Sequence, residues 1–362
     1  MIKLLTTQYL LLTKKMNLNV SIRKKLRDFT LDVNFSARDE VFALLGASGS
    51  GKSFTLKCIA GIETPDEGKI ILNGRVLFDS VKKINLPPQL RRVGYLFQNY
   101  ALFPNMTVAE NILFAAVGTQ DEKLRSLYEN IQRFELRGLE NSYPHELSGG
   151  QQQRVAFARI LTSHAEFLLL DEPFSALDSY LKWRLELELA EILKTYNGAA
   201  ILVSHDRDEV FRLADKIAVM NQGKIDAVDT KHALFKNPQT VSAAILTGCK
   251  NISAAKKIGD DKIFATDWQI ELTVNKKIPA DLKFIGIHAN FIEYVSAAGE
   301  NIFPVEVVKE IEDTFSIIVM VRAKGTNGSL IRWEVPKNFP RRLDGGELYV
   351  KIPADKIIFL NG

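Results

Sequence analysis

Cysteine is scarce in this chain. Its 362 residues include two, Cys58 and Cys249, far apart and without ligand spacing. That argues against a disulfide framework and against a thiolate metal site, and it suits a reducing, cytosolic compartment. Long apolar runs are missing as well, and nothing approaches the ~20 residues a membrane-spanning helix needs. A surplus of one charge sign is also absent. The 47 basic and 43 acidic residues leave a net +4, too little to argue for nucleic acid. The stretch 4–12 is short, broken by Thr6, Thr7 and Gln8, and followed by Lys14 and Lys15 without a small-residue cleavage site. It reads as a leader segment or an upstream start, with Met16 as an alternative first residue. A role at a membrane therefore requires membrane-spanning partners.

What is present is a two-part pattern, in a length that suits two domains. In residues 18–45, Leu18, Val20 and Ile22 alternate with polar residues, as do Phe29, Leu31, Val33 and Phe35. Both segments read as strands. The continuous apolar run at 41–45 reads as a strand buried on both faces. It leads straight into Gly46-Ala47-Ser48-Gly49-Ser50-Gly51-Lys52-Ser53, and residues 53–60 then read as a helix stopped by Gly61. Strand, glycine loop and helix in this order are the context of a phosphate-binding loop. There, backbone N–H groups and the helix N-terminus wrap phosphates, Lys52 contacts the β- and γ-phosphates, and Ser53 ligates Mg²⁺.

Further along, 105–145 reads as mainly helical, 152–163 as helix, 167–170 as buried strand, 179–196 as helix, 199–203 as strand and 208–214 as helix. A hairpin follows at 217–220 and 223–228. Alternating strands and helices imply an α/β core. From Phe284 onward, short alternating segments separated by glycine and asparagine turns read as a small antiparallel β-barrel. Lys337, Arg341, Arg342 and Lys351 in this part read as a solvated basic face.

The peptide Leu147-Ser148-Gly149-Gly150-Gln151, together with the phosphate loop before it, resembles the ATPase subunit of an ABC transporter. The resemblance implies a P-loop ABC ATPase domain over 17–240, with an inserted helical subdomain at about 100–160. A connector at 241–282 and a C-terminal TOBE-like β domain at 283–362 would follow. ATP and Mg²⁺ are the implied cofactors. Asp171, at the end of an apolar strand, is placed like a carboxylate holding Mg²⁺ through water, and Glu172 after it like the general base for the attacking water. Gln98 in Gly94-Tyr-Leu-Phe-Gln98 matches the loop whose amide reaches the metal or that water. His205 matches the switch histidine at the γ-phosphate, and Ser175-Ala-Leu-Asp178 the loop lining the dimer interface. Ser148, Gly149, Gly150 and Gln151 begin a helix whose N-terminus, in such a family, meets ATP held by the opposite subunit. A homodimer is implied.

One family feature is missing. The turn at 23–28 holds no aromatic ring to stack on adenine, which leaves Arg27 and Phe29 as candidates. The segment 86–112 is similar to importer ATPases for sugars, polyamines, ferric iron, sulfate and molybdate. There residues 99–112 follow the glutamine loop and form the groove for a permease helix, to which Tyr100, Leu102, Phe103 and Met106 would contribute. The stretches Leu72-Asn-Gly-Arg-Val-Leu-Phe-Asp79 and Thr247-Gly-Cys-Lys-Asn251 look most like molybdate-type subunits. Implied partners are two integral-membrane permease subunits and, indirectly, an extracytoplasmic solute-binding protein, with no nucleic acid. The implied location is the cytoplasmic face of the cell membrane.

Overall fold

The computed structural model describes residues 16–163, 165–175, 177, 179–196, 198–339 and 347–361. The leader expected before Met16 lies outside the described residues, as do Arg341 and Arg342 of the basic face and Ala176 and Asp178 of the expected dimer-interface loop. The chain forms two compact units that meet in sequence between Lys231 and His232.

In the first unit the chain runs β1 (Asn17–Lys25), β2 (Thr30–Arg38), β3 (Val41–Leu45) and α1 (Lys52–Ala60). Next come β4 (Glu67–Leu72), β5 (Arg75–Asp79), β6 (Ile84–Asn85), α2 (Pro88–Arg91) and β7 (Val93–Leu96). Helices α3 (Val108–Phe114), α4 (Gln120–Arg133) and α5 (Gly149–Thr162) follow. The last part is β8 (Phe167–Asp171), α6 (Ser179–Thr195), β9 (Ala199–Ser204), α7 (Arg207–Leu213), β10 (Lys216–Asn221) and β11 (Lys224–Thr230). One eleven-stranded sheet takes the order β6-β5-β4-β1-β2-β11-β10-β3-β9-β8-β7. Its β10-β3-β9-β8-β7 end is parallel, and the β1, β2, β4, β5 and β6 end is antiparallel.

The parallel strands are short and almost wholly apolar, because helices cover both faces. Every residue of β8 and β9 is buried. On the antiparallel side Leu18, Val20 and Ile22 of β1 point inward and alternate with exposed or half-buried residues, as period-2 patterning requires. The hairpin β4–β5 and strands β6 and β7 were not anticipated from the sequence. Residues 105–145 hold two helices, not one continuous block. A capping box starts each. Thr107 and Glu110 open α3, and Thr119 and Glu122 open α4, each satisfying free N–H donors of a first turn.

The second unit is mostly antiparallel sheet. Helices α8 (Lys231–Lys236), whose first residue is the last of the first unit, and α9 (Val241–Thr247) come first. They are followed by β12 (Asn251–Lys257), β13 (Lys262–Ala265), β14 (Ile270–Thr273), β15 (Phe284–Ile287), β16 (Glu293–Val295), β17 (Ile302–Glu312), β18 (Ser316–Ala323), β19 (Ile331–Pro336), β20 (Leu348–Lys351) and β21 (Ile358–Leu360). They form two five-stranded sheets, β14-β13-β12-β15-β21 and β16-β20-β17-β18-β19. Thus residues 241–282 carry a helix and three strands. Trp333 sits at the centre of the core of this unit, 2% exposed, and its indole N–H donates to the Ile292 carbonyl at 2.9 Å. Lys337 pairs with Glu312 at 3.1 Å. Among the described residues no helix is long and apolar enough to cross a membrane.

Candidate functional site

Open parallel sheets bind ligands beyond the carboxyl ends of their strands. The expected residues gather there. The loop at 46–53 leaves β3, Gln98 lies two residues past β7, Asp171 ends β8, and His205 follows β9. The register aligns these ends, pairing Leu45 with Ser204, Asp171 with Val203 and Leu96 with Leu170.

In the glycine loop, Ala47, Ser48 and Gly49 are exposed, whereas Gly46, Ser50 and Lys52 are buried. Gly51 has φ 104°, in the left-handed region where a side chain is strained. A Cβ there would also lie 2.9 Å from Leu31. At Gly46 a Cβ would fall 2.4 Å from the Met220 carbonyl oxygen. The loop can therefore pack against β10 only with glycine at this point. The Lys52 ammonium donates to the carbonyls of Gly46 and Ala47, each at 2.9 Å. Burial lowers its pKa, while Glu172 and Asp171 pull the other way. The Ser50 hydroxyl is buried without a partner.

Ser53 opens onto Asp171, its hydroxyl donating to one carboxylate oxygen at 2.7 Å. The other carboxylate oxygen accepts from the Tyr95 hydroxyl at 2.8 Å. Glu172 adopts φ 45°, uncommon for a residue with a side chain and frequent where a functional group must be aimed. Its backbone N–H is anchored on the Val203 carbonyl at 3.0 Å. Its carboxylate lies 3.3 Å from Nδ1 of His205. The amide of Gln98 donates to the Ser175 hydroxyl at 3.3 Å, and that hydroxyl donates to the Glu172 carbonyl at 3.1 Å. Gln98, Ser175, Glu172 and His205 thus form one group and Ser53 with Asp171 another, joined through the Asp171–Glu172 peptide bond.

The loop carrying His205 is pinned from behind. The Asp206 carboxylate caps α7 by accepting the N–H groups of Asp208 and Glu209, and Lys182 of α6 donates to it at 2.5 Å. Lys182 also lies 3.5 Å from the buried Glu209, whose carboxyl is pushed up to about 7, chiefly by desolvation. A cavity of about 230 Å³ lies between Glu172, His205, Lys182 and Glu209.

Ser148 and Gln151 form a third capping box at the start of α5. The Ser148 hydroxyl accepts the Gln151 N–H at 3.3 Å and the Gln151 side chain accepts the Ser148 N–H at 2.8 Å. Ser148 and Gly149 are exposed. Gly150 packs against α6, where a Cβ would meet Leu181 at 2.7 Å. No hydrogen bond among the described residues joins Ser148, Gly149, Gly150 or Gln151 to the glycine loop of the same chain.

Phe29 is half-buried. Its ring lies against Gly223 and Gly51, where an added Cβ would meet it at 2.6 and 3.4 Å respectively. Arg27 is exposed. In the segment after Gln98, Tyr100 departs from the expected groove. It is 5% exposed and packs inward, whereas Phe103 is half-buried and meets the exposed Phe114 with tilted rings 4.6 Å apart. Tyr95, Lys182 and Glu209 were not legible in the sequence, because their roles depend on strand register and on α6 packing against α7. Among the described residues no group of three or more His, Cys, Asp or Glu has the makings of a metal site. Ser53 with Asp171 offers the sparse oxygen set of a Mg²⁺ that keeps phosphate and water ligands.

A family model described as ABC transporter matches residues 26–175. The Fe(3+) ions import ATP-binding protein of Haemophilus influenzae is 43% identical over 221 residues, 60% of this chain and 62% of that protein. The molybdenum import ATP-binding protein of Paramagnetospirillum magneticum is 40% identical over 222 residues, 61% of each. The spermidine/putrescine import ATP-binding protein of Acidothermus cellulolyticus is 42% identical over 222 residues, 60% of this chain and 56% of that protein. The match therefore spans about three fifths of the length of these relatives. Among solved structures, a bacterial ABC transporter cassette determined as a dimer is similar at a TM-score of 0.50 and 27% identity. It covers 59% of this chain and 98% of that one. The fold is an α/β ABC ATPase domain followed by all-β sheets consistent with a TOBE-like domain.

Proposed function

We propose that this chain is the ATP-hydrolysing subunit of an ABC importer. The observation that carries the reading is the convergence of Ser53, Asp171, Glu172, His205 and Gln98 beside the glycine loop, at the aligned ends of β3, β7, β8 and β9. Phosphoryl transfer to water needs charge stabilisation, positioning and a base, with little covalent chemistry. We assign these roles to the residues gathered here.

In this reading the N–H groups of residues 46–53 and the Lys52 ammonium receive the phosphates of ATP. Lys52 then exchanges its two carbonyl partners for phosphate oxygens. Ser53 and Asp171 would hold Mg²⁺, which would supply charge neutralisation at the phosphates when bound. Glu172 accepts a proton from the attacking water. His205 orients the Glu172 carboxylate and meets the γ-phosphate, while Gln98 reports the state of the site to the segment that follows it. Phe29, against the glycine loop, is the ring best placed to meet the base.

The N-terminus of α5 has two exposed residues, yet makes no hydrogen bond to the glycine loop of its own chain. We assign it to ATP on a second copy, so that two nucleotides lie between two chains. ATP then favours the closed state over the open one, as a motor ligand must. Two permease subunits, served by an extracytoplasmic solute-binding protein, would receive the motion on the membrane's cytoplasmic face.

For the solute we propose molybdate or a related oxyanion, on the likeness of residues 72–79 and 247–251 to molybdate-type subunits. Relatives named for ferric iron and polyamines define the competing solutes. The test is uptake of labelled molybdate, ferric iron and spermidine by cells lacking this chain, complemented with wild type or Glu172→Gln. Molybdate uptake restored by wild type alone is expected. Restoration of ferric iron or spermidine uptake instead would replace the solute while keeping the motor.

A further inference from the structure

We propose that Tyr95 is a positioning residue that sets the affinity of this site for metal-bound nucleotide, acting through Asp171. The inference deepens the ATPase reading and rests on it.

Tyr95 sits on β7, which pairs in parallel with β8 so that Tyr95 lies beside Leu169, two residues before Asp171. Its ring packs on the first unit's hydrophobic core and against Phe97 at 4.4 Å. Little rotational freedom remains for the hydroxyl. It donates to one oxygen of Asp171 at 2.8 Å, while Ser53 donates to the other at 2.7 Å. Asp171 is 5% exposed, so water contributes little to holding its carboxylate plane. Two side chains, one from the helix after the glycine loop and one from the neighbouring strand, therefore fix that plane before any ligand arrives.

A hydroxyl facing a carboxylate oxygen at this distance serves as a donor, so Tyr95 orients Asp171. Outer partners that orient a metal-binding carboxylate typically cost ~10- to 100-fold in metal affinity on removal. Tyr95 is also three residues from Gln98. The same strand end therefore carries both the residue that steadies Asp171 and the residue that reaches toward Ser175.

The experiment uses the full chain in a Glu172→Gln background, which removes hydrolysis. Binding of a fluorescent ATP analogue is measured with excess EDTA and with excess Mg²⁺, for Tyr95 and for Tyr95→Phe. The Phe variant keeps the ring and loses only the hydroxyl. The expected result is unchanged metal-free affinity and about tenfold weaker affinity in Mg²⁺. Mn²⁺ binding to the nucleotide complex, followed by the loss of the free Mn²⁺ signal in electron paramagnetic resonance, should weaken in parallel. Replacing Tyr95 with 4-aminophenylalanine restores a donor at the ring's end and should recover most of the Mg²⁺ effect. A merely structural residue would lower both affinities together. Equal Mg²⁺ affinities for Tyr95 and Tyr95→Phe, or no recovery with the amino variant, would overturn the proposal while leaving the ATPase reading intact. A parent chain that binds no nucleotide with Mg²⁺ would overturn both.

Discussion

Arg91 is the residue whose replacement should damage the first unit most for its size. It is fully buried, yet every hydrogen bond it makes is to an uncharged acceptor. Its guanidinium donates to the carbonyls of Leu86, Cys58 and Ile59, each at 2.8 Å, and to the Asn85 side chain at 2.7 Å. Cys58 and Ile59 belong to the last turn of α1, whose carbonyls carry the negative end of the dipole; that of Cys58 also accepts the Gly61 N–H at 3.3 Å. Arg91 therefore caps from behind the helix that presents Lys52 and Ser53 in front. Four charge-assisted bonds at ~1.5–3 kcal/mol each would total roughly 6–12 kcal/mol. The desolvation of a buried guanidinium, seen in its lowered pKa, offsets much of that. Arg91→Met fills similar volume and removes the donor from the Ile59, Leu86 and Asn85 acceptors, while Cys58 keeps the Gly61 N–H, so a net loss of about 3–5 kcal/mol is expected. For a unit of this size that corresponds to roughly 10 °C in melting temperature. Calorimetry of the nucleotide-free chain, with Arg91→Lys as the charge-keeping control, measures it. A Met variant within about 2 °C of wild type would refute the reasoning, since it would mean that water satisfies those carbonyls.

Arg159 holds the segment after Gln98 in a similar way. It donates to the carbonyls of Tyr100 and Ala101 at 2.8 and 2.7 Å, and both residues have positive φ. Arg159→Leu should destabilise the first unit by about 2–3 kcal/mol in urea unfolding and accelerate proteolysis near residue 100; an unchanged digestion pattern would contradict this. Lys52→Ala should lose ATP binding in equilibrium dialysis, and retained tight binding would remove Lys52 from the phosphate site. Mixing Lys52→Ala chains with Ser148→Arg chains should restore hydrolysis in mixed dimers, each having one intact composite site. No recovery would argue against the α5 N-terminus acting in trans.

The glycine loop, Asp171, Glu172 and the parallel strands β3, β8, β9 and β10 were legible because each is a local pattern. An apolar run, a turn that only glycine allows and a helix start lie within a few residues of one another. The helices at 149–162, 179–195 and 207–213 were likewise visible in their periodicity. The hairpin at 67–79 was not, since Gly68 and the turn Asn73-Gly74 break a run that carries little alternation. The division of 105–145 into two helices was written in the Thr107–Glu110 and Thr119–Glu122 boxes, but helical periodicity on both sides of Gly118 concealed it. Tyr100 reads as a groove aromatic by position. The left-handed backbone at Tyr100 and Ala101, held by Arg159, turns its ring inward instead. Tyr95 and Lys182 illustrate what a sequence withholds, because their partners are 76 and 24 residues away and meet them only through sheet register and helix packing.

The most direct test of the account is the assembly state of Glu172→Gln in MgATP, followed by light scattering during gel filtration. Loss of the base should slow hydrolysis by at least ~100-fold while leaving the phosphate loop and the α5 N-terminus intact. The account predicts a dimer that retains two ATP molecules and reverts to monomer when Mg²⁺ is chelated. A variant that binds MgATP yet stays monomeric at every concentration would contradict the claim that two copies of this chain close over ATP.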